Sequence, residues 1–300
     1  MTHIYFTNFL DVNLHEFSAM VATTLAFSTP GVLSRSISST TTAMSNSIYS
    51  AVSAPPGTSP KETQNLVTPL NEASTVLIVG ATRGIGLEFA KQLKSKGCTI
   101  IGTCRDTNNE NLKELGVHIV KMDVADETSI KTAASDVDKM NLPPITHVIH
   151  NAGVYGKRIP LDQVKSTDMQ DVFKINTIGP FLVAQQFARL LSPPTSTRMP
   201  IIGILTSKVG SVDDNGSGGS YAYRASKSAL NNVAKSLSID MQNEVKVVLL
   251  HPGYVRTDMT GGNGLIDVDE SVSGMLKAIE ATGPDTPFRF VDFKACLIPW

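Results

Sequence analysis

The 300-residue chain has no uninterrupted apolar run of the length, about 18 residues, that a membrane-spanning helix needs. Its three cysteines, Cys98, Cys104 and Cys296, fall in no metal-ligand spacing and form no even-numbered framework. That argues against a zinc site or a disulfide scaffold and for a reducing compartment. One tryptophan and 6% aromatic residues leave little for the stacking platforms of single-strand nucleic-acid binders. No charge excess exists either: Lys+Arg 26 against Asp+Glu 27 gives a net charge of −1, so no overall positive field is available to hold nucleic acid. What is present, 41% hydrophobic and 18% charged residues, suits a globular chain long enough for one large α/β domain or two small ones.

The first 72 residues differ from the rest. Arg35 and Lys61 are their only strong bases, and no acid occurs from Ser18 to Pro60. Hydroxyls crowd this stretch, with Ser34, Ser36, Ser38, Ser39 and Thr40 to Thr42 among them. No helical or strand period is sustained, so too little apolar surface can be buried to offset the entropy of ordering the chain. Residues 1–72 therefore read as a disordered leader, and the hydroxyl-rich, acid-poor composition as a transit peptide. The few arginines fit a plastid destination better than a mitochondrial one. A disordered tail on a cytoplasmic protein is the plainer alternative.

From Ser74 the pattern changes, and residues 73–300 read as a single folded domain. Strand-length apolar runs at Thr75–Val79, Thr99–Cys104, His118–Met122, Thr146–Ile149, Ile201–Leu205 and Val245–Leu250 alternate with amphipathic stretches. Helices are predicted at Ile85–Lys96, Asp168–Leu191, Tyr223–Gln242 and Glu270–Ala281, with a last short strand at Phe288–Phe293. Near-continuous Val/Ile/Leu strands are buried on both faces, as in parallel sheets. The alternation predicts an α/β fold of Rossmann type: a doubly wound parallel sheet with helices on both faces.

The first strand runs into Gly80-Ala81-Thr82-Arg83-Gly84-Ile85-Gly86. Gly80 suits the tight turn, Gly84 a close approach of backbone to a pyrophosphate, and Gly86 close packing of helix on sheet. The helix N-terminus then offers free N–H groups to the phosphates. At the end of the second strand, an acid would bind the ribose hydroxyls of NAD, whereas arginine would accept the 2′-phosphate of NADP. The chain offers Arg105 followed by Asp106, with Arg83 in the loop itself, and two cations favour NADP. Asp123-Val124, after the third strand, is placed to meet the adenine. Asn151-Ala152-Gly153 closes the fourth run.

Tyr223 and Lys227 are spaced i, i+4, which puts phenol and ammonium on one helix face. A nearby cation favours the phenolate and lowers a phenol pKa from its usual value of about 10. Such a phenol can protonate a carbonyl oxygen as hydride arrives. Tyr221 is the neighbouring candidate, but its i+4 residue is Ala225. Ser207 ends the fifth strand, where ligands of open α/β sheets bind, and can donate to the substrate oxygen; Thr206 and Ser211 are its rivals. Asn176 is a polar residue early in an otherwise apolar helix. His147 and His150 frame a buried strand on opposite faces, so a shared metal is not expected.

In order, Gly80-x-x-x-Gly84-x-Gly86, Asp123, Asn151-Ala152-Gly153, Asn176, Ser207, Tyr223-x-x-x-Lys227 and Pro252-Gly253 with Val255-Arg256-Thr257 resemble the short-chain dehydrogenase/reductase family over residues 74–300. Thr103-Cys104-Arg105, the Asp214-to-Gly219 loop and the Ile298-Pro299-Trp300 ending are most similar to C-factor-like, sniffer-type carbonyl reductases. The resemblance implies Tyr223 as general acid/base and Lys227 as the group that lowers its pKa and holds the nicotinamide ribose. Ser207 would orient the carbonyl, and Asn176 would support a relay water. Pro252, Gly253, Val255 and Thr257 would line the nicotinamide side. It also implies a homodimer or homotetramer, for which the apolar faces around Phe173–Phe187 and Ala225–Leu237 are available. The expected activity is NADPH-dependent reduction of a small aldehyde or ketone. The alternatives are NAD-dependent oxidation of a secondary alcohol and an NADP-binding signalling or scaffold protein without turnover. The short stretch from Thr257 to the helix near Glu270 suggests an open site.

Overall fold

The computed structural model of the chain describes residues 69–300. The leader drawn over 1–72 lies outside them except for its last four residues. Those four already belong to the fold: Leu70 is buried and Asn71 N donates to Ser74 Oγ at 3.2 Å.

Seven strands form one parallel sheet: β1 (Thr75–Val79), β2 (Thr99–Cys104), β3 (His118–Lys121), β4 (His147–His150), β5 (Ile201–Leu205), β6 (Lys246–His251) and β7 (Phe290–Asp292). Their order is β3-β2-β1-β4-β5-β6-β7, so the winding direction reverses between β1 and β4. Open α/β sheets bind ligands at such a reversal, beyond the carboxyl ends of the strands. Alternating strand residues feed two cores. Leu77, Val79, Ile202 and Ile204 pack on one face, Val76, Ile78, Ile201 and Leu205 on the other.

The second face is covered by α1 (Gly84–Ser95), α2 (Glu110–Glu114) and α7 (Val268–Glu280), through Phe89, Leu93, Leu112, Met275 and Ile279. The first face is covered by α3 (Glu127–Lys139), α5 (Gly179–Phe187) and α6 (Tyr221–Asp240), while α4 (Ser166–Phe173) packs against α6. The sequence reading passed over α2 and α3. In α3 the signal was there: Ile130, Ala133, Ala134 and Val137 are buried at helical spacing, and the Asp126 side chain accepts from Thr128 N. Alanines made that stripe faint.

The single helix predicted for 168–191 is interrupted. A π turn, Lys174–Ile178, separates α4 from α5, and a 3₁₀ turn ends the rod at Ala188–Leu190. The cause is Pro180. An α-helix would pair the Asn176 carbonyl with the N–H of residue 180, and proline has none. The wider turn absorbs the break. Among the described residues no helix is long and apolar enough to cross a membrane.

Candidate active site

The turn out of β1 takes the conformation that glycine permits: φ is +81° at Gly80 and +51° at Gly84. A Cβ at Gly86 would collide with the Gly80 carbonyl oxygen and crowd the Asn151 amide. That amide donates to the same oxygen at 2.7 Å, tying the end of β4 to the glycine turn. Helix α1 carries no acid in its first turn and no side-chain cap, so its N-terminus is left to a ligand.

A cleft of about 490 Å³ opens there. It brings together Gly80, Thr82, Arg83, Gly84 and Ile85 with Arg105, Asp123, Val124, Asn151, Ala152, Gly153 and Thr257. Met259, from the loop after Thr257, was not foreseen and also lines it. Gly86, Pro252, Gly253 and Val255 do not line it. Pro252 O accepts from Ser271 Oγ at 2.6 Å, and buried Val255 offers its carbonyl to Thr260 Oγ1 at 2.7 Å. The segment after Thr257 folds back on itself, with Val255 bridging Ile266 and Arg256 paired to Asp267 at 2.7 Å.

The two arginines have unlike surroundings. Arg83 pairs with Asp258 at 2.6 Å across the mouth of the cleft, both side chains exposed. Arg105 lines the cleft, whereas the carboxylate of Asp106 accepts from Asn108 N at 3.0 Å in its own turn. Of the two neighbours after β2, only the cation lines the cleft.

Beyond the cleft lies the hydroxyl group of residues. Tyr223 is buried, whereas Tyr221 is 40% exposed, so the choice made on spacing agrees with the burial. Burial pushes the Tyr223 phenol up to about 12, and the Ser207 hydroxyl pulls it partway down. The serine rivals are committed elsewhere. Thr206 Oγ1 donates to Asn231 Oδ1 at 2.7 Å, and Ser211 Oγ donates to Trp300 O at 3.1 Å.

Lys227 is buried, and its ammonium donates to the Leu205 carbonyl at 2.9 Å. Desolvation lowers it to about 8. The expectation that this cation depresses the phenol is not met: burial dominates, and the resting phenol holds its proton more tightly than free tyrosine does.

Asn176 is fully buried rather than solvent-facing. Its Oδ1 accepts from Val154 N at 2.9 Å, and its Nδ2 donates to Val154 O at 2.8 Å and Ser226 Oγ at 3.1 Å. The side chain thus clamps the β4 extension to α6.

One neighbour escaped the sequence reading. Tyr155 stacks on Tyr223, centroids 4.5 Å apart and planes at 28°, and its hydroxyl shares a 2.7 Å hydrogen bond with Ser220. Only its position four residues after Asn151 could have suggested it. His147 and His150 are buried and held neutral by desolvation, at about 4 and about 3. Among the described residues no cluster of three or more acid, histidine or cysteine side chains could hold a metal.

A family model described as short chain dehydrogenase matches residues 74–264. The chain is 34% identical over 236 residues to a 1-hydroxy-2-glutathionyl-2-methyl-3-butene dehydrogenase of Rhodococcus sp. (strain AD45), covering 76% of this chain and 100% of that one. Among solved structures it is similar to the carbonyl reductase Sniffer of D. melanogaster, with TM-score 0.70 and 29% identity over 76% of this chain and 99% of that one. It is also similar to an NADPH-bound carbonyl reductase from chicken fatty liver, with TM-score 0.69 and 31% identity over 75% and 94%.

Proposed function

The chain belongs to the short chain dehydrogenase family, an oxidoreductase lineage, and from that premise we propose that it is an NADPH-dependent carbonyl reductase acting on aldehydes or ketones. One observation carries the reading: a buried, protonated phenol on α6 and a serine hydroxyl at the end of β5 stand together, beside a glycine-walled cleft edged by Arg83, Arg105 and Arg256.

The cleft suits a dinucleotide. Glycines stand where a Cβ would fill the cradle, and the α1 N-terminus has no internal acid competing for it. Arg83 and Arg105 suit a 2′-phosphate, and the absence of Asp106 from the lining removes the ribose-binding acid that NAD would need. A neighbour with NADPH bound supports the same choice.

When bound, the dinucleotide supplies a hydride to the carbonyl carbon. Ser207 donates a hydrogen bond that orients the carbonyl oxygen. Tyr223 gives its phenolic proton to that oxygen, so carbonyl, hydride and proton together make the alcohol. A phenol pushed up to about 12 carries its proton at neutral pH, the form that reduction requires. Lys227 supplies the positive charge that offsets the phenolate left behind, and a proton taken up from solvent restores the phenol. Subunit pairing, as dimer or tetramer, would use the face where Ile178, at the end of the π turn, and Phe181, on α5, are exposed.

The test is NADPH oxidation against a panel of aldehydes and quinones, wild type beside Tyr223→Phe, with NADPH binding measured separately. Wild type should turn over, and the variant should bind NADPH yet lose about 10²- to 10⁴-fold in kcat/KM. A wild-type protein that binds NADPH and consumes it with no member of the panel would refute the reading.

A further inference from the structure

The reaction centre continues outward through Tyr155. One face of this ring lies on Tyr223, and the guanidinium of Arg158 stands over the ring at 4.9 Å from its centroid. The Tyr155 hydroxyl is held by Ser220 at 2.7 Å, so the ring is anchored at both its face and its tip.

The charge of Arg158 is unmatched. The neighbouring cations have partners: Lys157 meets Asp168 at 3.3 Å, and Lys208 meets Asp214 at 3.5 Å. Arg224 spends its donors on Gly218 O, Val209 O and Ser217 Oγ. Among the described residues Arg158 makes no ion pair, and its side chain is exposed. A stacked guanidinium uses its face on the ring and keeps its edge donors free. That fork matches a carboxylate and is held in place by the stack.

We propose that Tyr155 and Arg158 form a subsite for an anionic group, so that the substrates are carbonyl compounds that also carry a carboxylate. This rests on the carbonyl-reductase reading and deepens it. Tyr155, covered by Tyr223 on one face and by Arg158 on the other, serves as the spacer that fixes the guanidinium relative to the phenol that protonates the substrate. Arg158 receives the carboxylate at the far end, two stacking steps of 4.5 and 4.9 Å from the Tyr223 ring. The Arg158 side chain is exposed, so the contact contributes about tenfold in affinity.

The probes are 4-carboxybenzaldehyde and methyl 4-formylbenzoate. The ester is the more electrophilic aldehyde, so any preference for the acid arises from binding. Wild type should favour the acid by about tenfold in kcat/KM, carried mainly by KM. Arg158→Gln should bring the ratio of the two substrates near one, and Arg158→Lys should restore part of it. A role confined to packing would lower both substrates together and leave the ratio where it was, overturning the proposal. Calorimetric binding of benzoate against benzamide, in excess NADP⁺, reads the subsite without turnover. Preference for benzoate that disappears in Arg158→Gln upholds the subsite even if neither aldehyde is reduced, in which case the reductase reading alone fails. No preference for benzoate in wild type overturns the subsite whatever the turnover.

Discussion

Replacing Lys227 by methionine tests whether the ammonium is desolvated as the structure implies. A lysine held at about 8 against 10.5 in an open chain is penalised in the folded state by about 3 kcal/mol at neutral pH, where both states carry the proton. Between the two values the folded protein releases the proton first. The unfolded chain then binds more protons, so stability rises with pH. Above 10 the direction turns, because Tyr223 ionises first in the unfolded chain and only near 12 in the folded one. The useful window is therefore pH 8 to 9.5, where the lysine should contribute about 2 kcal/mol. For a domain of this size that is about 4–8 °C in Tm. Methionine has no proton to release, and its loss of the bond to Leu205 O lowers stability equally at every pH. Thermal unfolding of cofactor-free wild type and Lys227→Met across this window should give a gap that widens in favour of wild type as pH rises. Parallel curves would refute the reasoning, because they would mean that the ammonium is solvated.

Two further outcomes follow. Gly86→Ala forces a Cβ onto the Gly80 carbonyl and against the Asn151 amide, so it should lose about 2–4 kcal/mol and bind NADPH weakly, whereas Gly216→Ala, with nothing within 4 Å, should stay within about 0.5 kcal/mol; equal melting temperatures for the two variants would remove the close-packing argument. Arg105→Gln should raise the KM for NADPH by about 10- to 100-fold and leave NADH nearly unmoved, read by initial rates with each cofactor, and equal losses on both would place Arg105 away from the 2′-phosphate.

The strands were legible because a doubly buried strand must be written in Val, Ile and Leu, and six of the seven begin within one residue of their predicted starts. The glycine turn was legible because positive φ leaves few other residues. Helix α3 was not, since its buried stripe is half alanine. Nor was the π turn, although Pro180 marks it, because the sequence period runs through the break undisturbed. At the site, spacing selected Tyr223 over Tyr221 and strand position selected Ser207. Spacing could not weigh burial against charge, so the sense of the phenol's shift was misread. Tyr155 was invisible because its contact with Tyr223 joins residues 68 apart, one beyond β4 and the other on α6, and no local pattern encodes it.

The adjacency of β1, β4 and β5 has a mechanical consequence. The glycine turn extends β1, the segment leading to Tyr155 extends β4, and Ser207 extends β5, and these three strands are neighbours in register. Their separation is the interstrand spacing of about 4.8 Å, set by backbone hydrogen bonds rather than by rotamers. The Asn151–Gly80 bond locks the first two beyond the point where the ladder ends. Glycine turn, Tyr155 and Ser207 are therefore graduations on one rigid scale. Substitutions in the surrounding loops can reshape what enters the site while the spacing from the glycine turn to Ser207 stays constant.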